Sequence, residues 1–553
     1  MQMLPRLTFQ LIRNALLWLG LVILFIAIGE EWLRPLLPQT AIFQTRWSGN
    51  ILMLLGLIFG IRSHFLILQL GQPTGLFRLH TRRLVRIGYY ARNRHPQWWS
   101  LQLWIMGALL TAEMPWLVAV IIVSLNLTIG SIYLLLVEES LLANKFGERY
   151  KIYKREVPFW GFRINAPDAE EPGWVYLCAF ILGQFLFRWR FKINAEGLEN
   201  IPDAQNFIIV APHACYFDPF LLGIFVPVPV HFVTTADAYT NPVKQWFMHR
   251  LYTFPIRRHV QDLPALRKVI KLTSAGKVVG IFPEGERSMD GRPGEIVPET
   301  IRLLQHCRVP ILPVEIHGAF EIWPRWSNVL RKGRVHVRFN PVIPVGAQVD
   351  RARLTEKIRA TIFPKKMAYQ SVSSDRMTKG IEKLLWGCIA CGAHDRIVET
   401  SAYTIQCQNC GRIWNLEPDY HLMSPEGDRI PLVKWIDRLK DQIQPMNWQT
   451  EHELMNGEVP YLSTELTAYF GPESEAPQYQ NTELILTDKA FLIRNNGREL
   501  ARWRHSQITV LTVDTKTDFS LGVSGKRHLF RLPPPEHPLK WHNFFKAVTS
   551  VTG

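Results

Sequence analysis

Cysteine is scarce in this chain. It has seven in 553 residues, four of them in one short pattern, which suggests no disulfide framework and fits a reducing compartment. Acidic side chains are outnumbered as well. Against 63 Lys and Arg stand 47 Asp and Glu, a net charge of +16, which suits an anionic partner: a phospholipid surface, an acidic substrate or nucleic acid. There is no internal repeat, and no nucleic-acid motif beyond that cysteine pattern, so nucleic acid is not expected and lipid is favoured. Beyond about residue 190 the long charge-poor runs are largely gone, which assigns the membrane-crossing segments to the first third. The length accommodates about three or four domains of ~150 residues.

Asn14 to Gly29 is charge-free and apolar, flanked by Arg6 and Arg13 before it and Glu30 and Glu31 after it. No small-residue cleavage site follows, so an uncleaved membrane helix is expected rather than a signal peptide. A second run spans Trp47 to Gly71, interrupted by Arg62 and His64; a third, Trp98 to Val137, is too long for one span and is divided by Glu113 and Pro115, as in a helical hairpin. Arg78, Arg82, Arg83, Arg86, Arg92 and Arg94 lie before that hairpin, and Lys145, Arg149, Lys151, Lys154 and Arg155 after it. Both basic clusters belong on the cytoplasmic side by the positive-inside rule, which predicts four spans with both ends inside.

Two segments flank the hairpin: Gly88-Tyr-Tyr-Ala-Arg-Asn-Arg94-His95-Pro96-Gln97-Trp98, and Glu138-Glu139 through Phe146-Gly147 to Val157-Pro158. Together they resemble the isoprenylcysteine carboxyl methyltransferase and phospholipid methyltransferase group. The resemblance implies S-adenosylmethionine as cofactor, with His95 at its carboxylate and Glu138 or Glu139 at its amino group. Tyr89, Gln97 and Trp98 depart from that group's usual Pro, Met and Tyr. Read as plain chemistry, the glutamates and the basic run also describe an interfacial helix at the membrane edge. Residues 1–168 are expected to form this membrane domain.

After the short apolar segment Trp174 to Leu186, which reads as an amphipathic or re-entrant anchor, β-branched runs alternate with helical stretches as in an α/β domain. Its chemistry lies in Ala-Pro-His213-Ala-Cys-Tyr-Phe-Asp218-Pro. An alcohol is a weak nucleophile at neutral pH and needs a base within hydrogen-bonding reach. Histidine suits that role, and a carboxylate beside it fixes the tautomer and stabilises the imidazolium. Asp218-Pro219 alone also describes a helix start, and Cys215 between them is a thiol with no role expected. Phe254-Pro-Ile-Arg257-Arg258, Phe282-Pro-Glu284-Gly285-Glu-Arg287-Ser288 and Val309-Pro-Ile-Leu-Pro313 follow. Four blocks in this order and spacing resemble the glycerolipid acyltransferase family over residues 172–368. The resemblance implies His213 as general base with Asp218 in support, a glycerol phosphate held by Arg258, Glu284, Gly285 and Arg287, and acyl-CoA or acyl carrier protein as donor. Arg257 departs from the acidic residue that many relatives carry.

Residues 369–380 read as a linker. Cys388-x2-Cys391-Gly and Cys407-x2-Cys410-Gly, with fifteen residues between Cys391 and Cys407, are two knuckles at zinc-ribbon spacing and predict a closed structural zinc site over 381–418, with rubredoxin-like iron as the alternative. From 424 to 553 the pattern is mostly β, with an Asn495-Asn-Gly497 hairpin turn and a final helix presenting Trp541, Phe544, Phe545 and Val548. This arrangement resembles a pleckstrin-homology-like domain, in which Lys526, Arg527 and His528 read as a solvated basic face rather than as contacts to an anionic headgroup. The chain is thus expected to be a multidomain membrane protein: an α-helical transmembrane domain, an α/β acyltransferase domain, a zinc ribbon and a mostly-β domain with a final helix. Its expected activity is acyl transfer to a lysophospholipid hydroxyl in phospholipid synthesis, at a bacterial inner membrane with the soluble domains cytoplasmic. A second methyltransferase activity and a non-catalytic scaffold are the alternatives; no protein partner is named by the sequence.

Overall fold

A computed structural model of the chain describes residues 46–552, apart from 68–70, 72–80, 82, 164–171, 203–205, 227, 240, 257–261, 347–348, 364–368, 446–457, 473, 475 and 515–516, and only scattered positions before 46. The chain forms two compact units, one from residues 1–189 and 223–229, the other from 190–222 and 230–553.

In the first unit the run from Trp47 folds as helix Arg46–Leu66, and the run from Trp98 divides into helices Pro96–Thr111 and Trp116–Tyr133. Proline sets the division. Pro96 opens one helix and Pro115 caps the next, positions where a missing backbone N–H leaves no helical bond unmade. Among the described residues two helical runs, Arg46–Leu66 and Trp116–Phe146, are long and apolar enough to cross a membrane. Helix Pro96–Thr111 has 16 residues, short of the ~20 that a bilayer core takes. Of the four expected spans, then, two have full length, one is short, and Asn14–Gly29 lies almost wholly outside the described residues. Glycine sets the helix seam: a methyl group on Gly107 would sit 2.5 Å from the Met53 backbone, and one on Gly49 2.6 Å from Thr111. Close backbone approach of this kind holds membrane helices together where burial of apolar surface cannot. Gln102 adds a buried hydrogen bond to Asn126 at 2.7 Å. The anchor segment forms the longer helix Trp174–Arg190.

The second unit opens with a seven-stranded sheet in the order β1-β7-β6-β2-β5-β3-β4. Its strands are β1 (Lys192–Glu196), β2 (Ile208–Val210), β3 (Val230–Thr235), β4 (Thr253–Ile256), β5 (Val278–Ile281), β6 (Ile311–His317) and β7 (Arg334–Phe339). β2 to β6 are mutually parallel, whereas β7 runs antiparallel to β6. The central strands read as unbroken apolar runs because both faces are covered: every residue of β2 and β5 is buried. Helices such as Leu263–Ser274 and Arg351–Ile362 supply Val269, Leu354, Ile358 and Ile362 to the core beneath them.

The cysteine unit is a five-stranded antiparallel sheet running from Ile397 to Pro431, followed by helix Leu432–Asp441. Residues 424–441 therefore belong with the cysteine sheet rather than with the C-terminal β region, because Leu422 pairs with Ile430 and Trp435 stacks edge-on against Trp414. A second seven-stranded sheet, Pro460 to Arg531, is closed by helix Pro538–Thr552, whose Trp541, Phe544 and Val548 are buried. The connecting segment 369–380 is packed: Ser373 exchanges backbone hydrogen bonds with Lys332, and Met377 and Thr378 are buried. Buried polar ties join the parts. Arg331 donates to the Tyr420 hydroxyl at 2.6 Å, which donates to the Glu321 carbonyl at 2.8 Å. Lys540 pairs with Asp395 and Glu536.

Candidate functional site

Sheet register brings the sequence blocks together. β2 and β5 are parallel neighbours with Val210 opposite Ile281, so His213 and Glu284, each three residues beyond, emerge side by side at the carboxyl edge where α/β sheets hold ligands. The His213 backbone N–H donates to Glu284 Oε1 at 2.8 Å, and the Ser288 N–H donates to the His213 carbonyl at 2.9 Å.

His213 Nδ1 lies 2.8 Å from Asp218 Oδ2. Asp218 does not spend its side chain on the helix it begins. It turns back, and the same Oδ2 accepts the Ala214 and Cys215 amides, each at 2.8 Å. A carboxylate oxygen taking two amides and a ring nitrogen holds the turn and the imidazole in one geometry. With Nδ1 donating to Asp218, Nε2 is left as the basic nitrogen. The His213 side chain is 21% exposed and Asp218 is wholly buried, so a substrate can meet the base but not the acid. Phe282 stacks on the imidazole at 4.2 Å between ring centres and fixes its plane. Burial holds the His213 pKa below its ordinary value, against the opposing pull of Asp218. Burial also pushes the Cys215 thiol well up; a neutral, enclosed thiol is not a nucleophile.

Glu284 spends both oxygens on backbone amides, Oε1 on His213 and Oε2 on Gly294 at 2.6 Å. A substrate contact by this residue would compete with those bonds. Burial outweighs both amides and pushes its carboxyl up to about 7. Gly285 takes φ +73°, a left-handed conformation that favours glycine and directs the chain into the turn. The Arg287 guanidinium covers the Tyr216 ring at 3.4 Å, and its buried Nη1 has no partner. A buried cationic donor without a partner is the group that an acceptor phosphate would satisfy. Burial pulls its pKa below the ordinary arginine value. Arg257 and Arg258 lie outside the described residues, just past the end of β4.

In the membrane unit a π-type turn at Leu134–Glu138 interrupts the long helix, a feature that gathers at functional sites. It gives the two glutamates different surroundings. Glu138 lines a cavity of about 360 Å³ together with Arg94, His95, Trp98, Phe146 and Tyr150. Glu139 is buried behind His95, hydrogen-bonded to its Nε2 at 3.3 Å and ion-paired with Arg94 at 2.9 Å and Lys154 at 2.7 Å. Among residues lining the cavity, Trp98 Nε1, Gln97 Oε1 and Tyr150 Oη are buried without partners. Arg94 and Tyr150 had no assigned role from sequence; only their place beside the His-Pro and glutamate segments pointed to them.

Cys388, Cys391, Cys407 and Cys410 place their four sulfurs within 4.8 Å of one another. Cys388 and Cys410 are 3.8 Å apart, as are Cys391 and Cys407. A tetrahedron of thiolates at ~2.3 Å from zinc has edges of about 3.8 Å, so this donor set fits a four-coordinate ion. His394 packs against Trp386 and Phe544 instead.

Comparison with known proteins finds two family models matching separate parts of the chain. Residues 192–317 match the family model described as Acyltransferase, and residues 44–149 that described as Phospholipid methyltransferase. The chain is 28% identical over 151 residues to a chloroplastic 1-acyl-sn-glycerol-3-phosphate acyltransferase of Arabidopsis thaliana, covering 27% of this chain and 42% of that one. It is 26% identical over 171 residues to the 1-acyl-sn-glycerol-3-phosphate acyltransferase of Bacillus subtilis (strain 168), covering 31% and 81%. Against chloroplastic relatives from Arabidopsis thaliana and Brassica napus the chain spans less than half of their length, 42% and 47%. The crystal structure of a 1-acyl-sn-glycerophosphate acyltransferase from Thermotoga maritima aligns with a TM-score of 0.31 and 22% identity, over 42% of this chain and 89% of that one. The chain carries a phospholipid methyltransferase-family segment followed by an acyltransferase-family domain.

Proposed function

We propose that this chain is a membrane-bound O-acyltransferase that moves a fatty acyl group from an acyl thioester to the free hydroxyl of a lysophosphatidate-type acceptor. The observation that carries the reading is the His213–Asp218 pair at 2.8 Å on the carboxyl edge of the sheet, its histidine reachable and its aspartate buried. His213 Nε2 takes the acceptor's hydroxyl proton while the oxygen attacks the thioester carbonyl. The tetrahedral intermediate then expels the thiolate, which leaves with that proton from Nε2, so no acyl-enzyme forms. Asp218 stabilises the imidazolium between the two steps. Arg287, with Arg258, receives the acceptor phosphate, and acyl-CoA or acyl carrier protein supplies the acyl group. Acyl transfer from radiolabelled acyl-CoA to lysophosphatidic acid, in membranes carrying wild-type or His213→Ala protein, tests this. Label in phosphatidic acid from wild type alone is expected; equal product from both would remove His213 from the mechanism.

The unpartnered polar atoms around the membrane cavity support a second reading. Arg94 presents a cationic donor, His95 an imidazole and Glu138 a carboxylate, which suits the two charged ends of the amino-acid part of S-adenosylmethionine. Bound there, the cofactor would supply an electrophilic methyl group. His95→Ala should then weaken retention of radiolabelled S-adenosylmethionine and leave acyl transfer intact; retention unchanged by the substitution would end this reading. The four cysteines hold a structural zinc in a ribbon-like unit, and the C-terminal sheet and helix form a pleckstrin-homology-like domain. The soluble parts lie on the cytoplasmic face of a bacterial inner membrane.

A further inference from the structure

Residues 282–297 form neither helix nor strand, yet they carry Glu284 and Arg287. Hydrogen bonds fix their course. On one side they run to the catalytic turn, through the Glu284 carboxylate and the Ser288 backbone N–H. On the other they run to side chains from outside the turn. Arg325 donates from Nη1 to the Arg287 carbonyl at 3.0 Å and to Glu286 Oε2 at 3.3 Å. Its Nη2 donates to the carbonyl of Val513, at the end of strand Ile508–Val513 in the C-terminal sheet. Arg292 lies on the same loop, and its Nη1 donates to Asp437 Oδ1 at 2.5 Å, on the helix that follows the cysteine sheet. Arg292 is oriented for this by Asp290, which accepts from its Nε at 2.7 Å. The Tyr369 hydroxyl holds the Asp290 carbonyl at 2.6 Å. Two anchors from two different C-terminal units thus meet on one loop.

We propose that Arg325 and Arg292 are positioning residues for acyl transfer. They fasten the acceptor-binding loop to the cysteine unit and to the C-terminal β domain, which become part of the frame of the active site. The inference rests on the acyl-transfer reading above. Only a planar, multi-donor side chain serves here, because Arg325 must satisfy carbonyls on two separate elements at once. Its side chain is 9% exposed, so its bonds are sheltered from exchange with water. Without it the Arg287 backbone is free to drift, and the guanidinium that meets the acceptor drifts with it. In the reading above this guanidinium meets only the acceptor, so binding of the acyl donor is expected to change little. The loop-side contacts also give a reason for this acyltransferase-family domain to keep two further domains behind it.

The test uses the full chain in its membrane. Arg325→Ala is expected to raise the acceptor KM roughly ten- to hundredfold, the weight of charge-assisted hydrogen bonds, with kcat and the donor KM little changed. Asp437→Ala, remote from the reacting atoms, should raise the acceptor KM by less, since Arg292 keeps Asp290. Arg325→Lys, which retains a cationic donor, should recover part of the loss. A merely structural role would lower kcat through lost active enzyme and leave both KM values alone; that pattern would overturn the proposal. Hydrogen exchange over residues 286–294, read without substrate, decides the tether by itself. Faster exchange in Arg325→Ala and Asp437→Ala supports it, and unchanged exchange sinks it. Faster exchange together with no product from wild type would refute the acyl-transfer reading while the tether stood.

Discussion

Replacing Asp218 by Asn should slow acyl transfer and move its acid limb to lower pH. Asp218 Oδ2 accepts from His213 Nδ1 and from the Ala214 and Cys215 amides. An asparagine oxygen can keep the two amides, so the turn should survive; what goes is the charge. A unit charge ~4 Å from the forming imidazolium is worth about 4 kcal/mol at an effective dielectric near ~20, which is about 10³ in rate. The imidazolium exists only after proton abstraction, so the loss falls on kcat rather than on substrate binding. The sign of the pH effect follows from the opposing causes. Burial lowers the His213 pKa and Asp218 raises it, with burial the larger. Wild-type kcat/KM should therefore fall only as the pH drops through a value below the ordinary 6.5, because the base works unprotonated. Without the carboxylate, burial and the Arg287 and Arg325 charges act unopposed and the limb shifts further down. The assay is thiol release from acyl-CoA with saturating lysophosphatidic acid, then kcat/KM for the acceptor across pH 5 to 9. An acid limb that moves up, or a rate within about threefold of wild type, would refute the pairing of these residues as base and support.

Three further outcomes follow from the same geometry. The Glu284 carboxyl, pushed up from 4.5 to about 7 by burial, favours the fold most while protonated. Local protection of residues 284–294, corrected for intrinsic exchange, should thus fall as the pH rises from 4.5 to 7 and level off above; Glu284→Gln, neutral throughout, should show no such fall. Metal analysis of the purified chain should give about one zinc per chain, and Cys391→Ser should abolish tight retention, since three thiolates leave a structural site open. Equal zinc in variant and wild type would place the ion elsewhere. Gln102→Leu should destabilise the membrane unit by roughly 1 kcal/mol, because Asn126 is then left unpaired among apolar helices, and adding Asn126→Leu should recover most of it. Reversible unfolding in mixed detergent reads both, and a double variant worse than the single would count against that pairing.

What was legible in the sequence and what was not divides by the distance over which partners meet. The His213–Asp218 contact closes within one turn, and the two cysteine knuckles carry their spacing with them, so residue type and separation sufficed to predict which groups come together. The helix break at Pro115 was legible because proline acts on its own backbone. Strands β2 and β5 were visible as apolar runs, but their register was not, and it is the register that sets Glu284 against the His213 backbone. Glu284 as a group for the acceptor is what the family resemblance implies; its occupation by two amides is a tertiary fact. Glu138 and Glu139 were read as interchangeable because an ordinary helix gives no reason to separate their surroundings. The π-type turn at Leu134–Glu138 supplies that reason. In sequence Ser424 onward reads with the C-terminal β region because short β runs look alike, whereas the pairing of Leu422 with Ile430 places residues 424–441 with the cysteine sheet. Arg325 carried no signal at all. Besides the Glu286 carboxylate 39 residues away, its partners are the carbonyls of Arg287 and Val513, 38 and 188 residues away, and a backbone carbonyl has no residue type to recognise. An active-site loop without regular structure has to be held by contacts of that kind, which is why the residues that position it are harder to find than those that react.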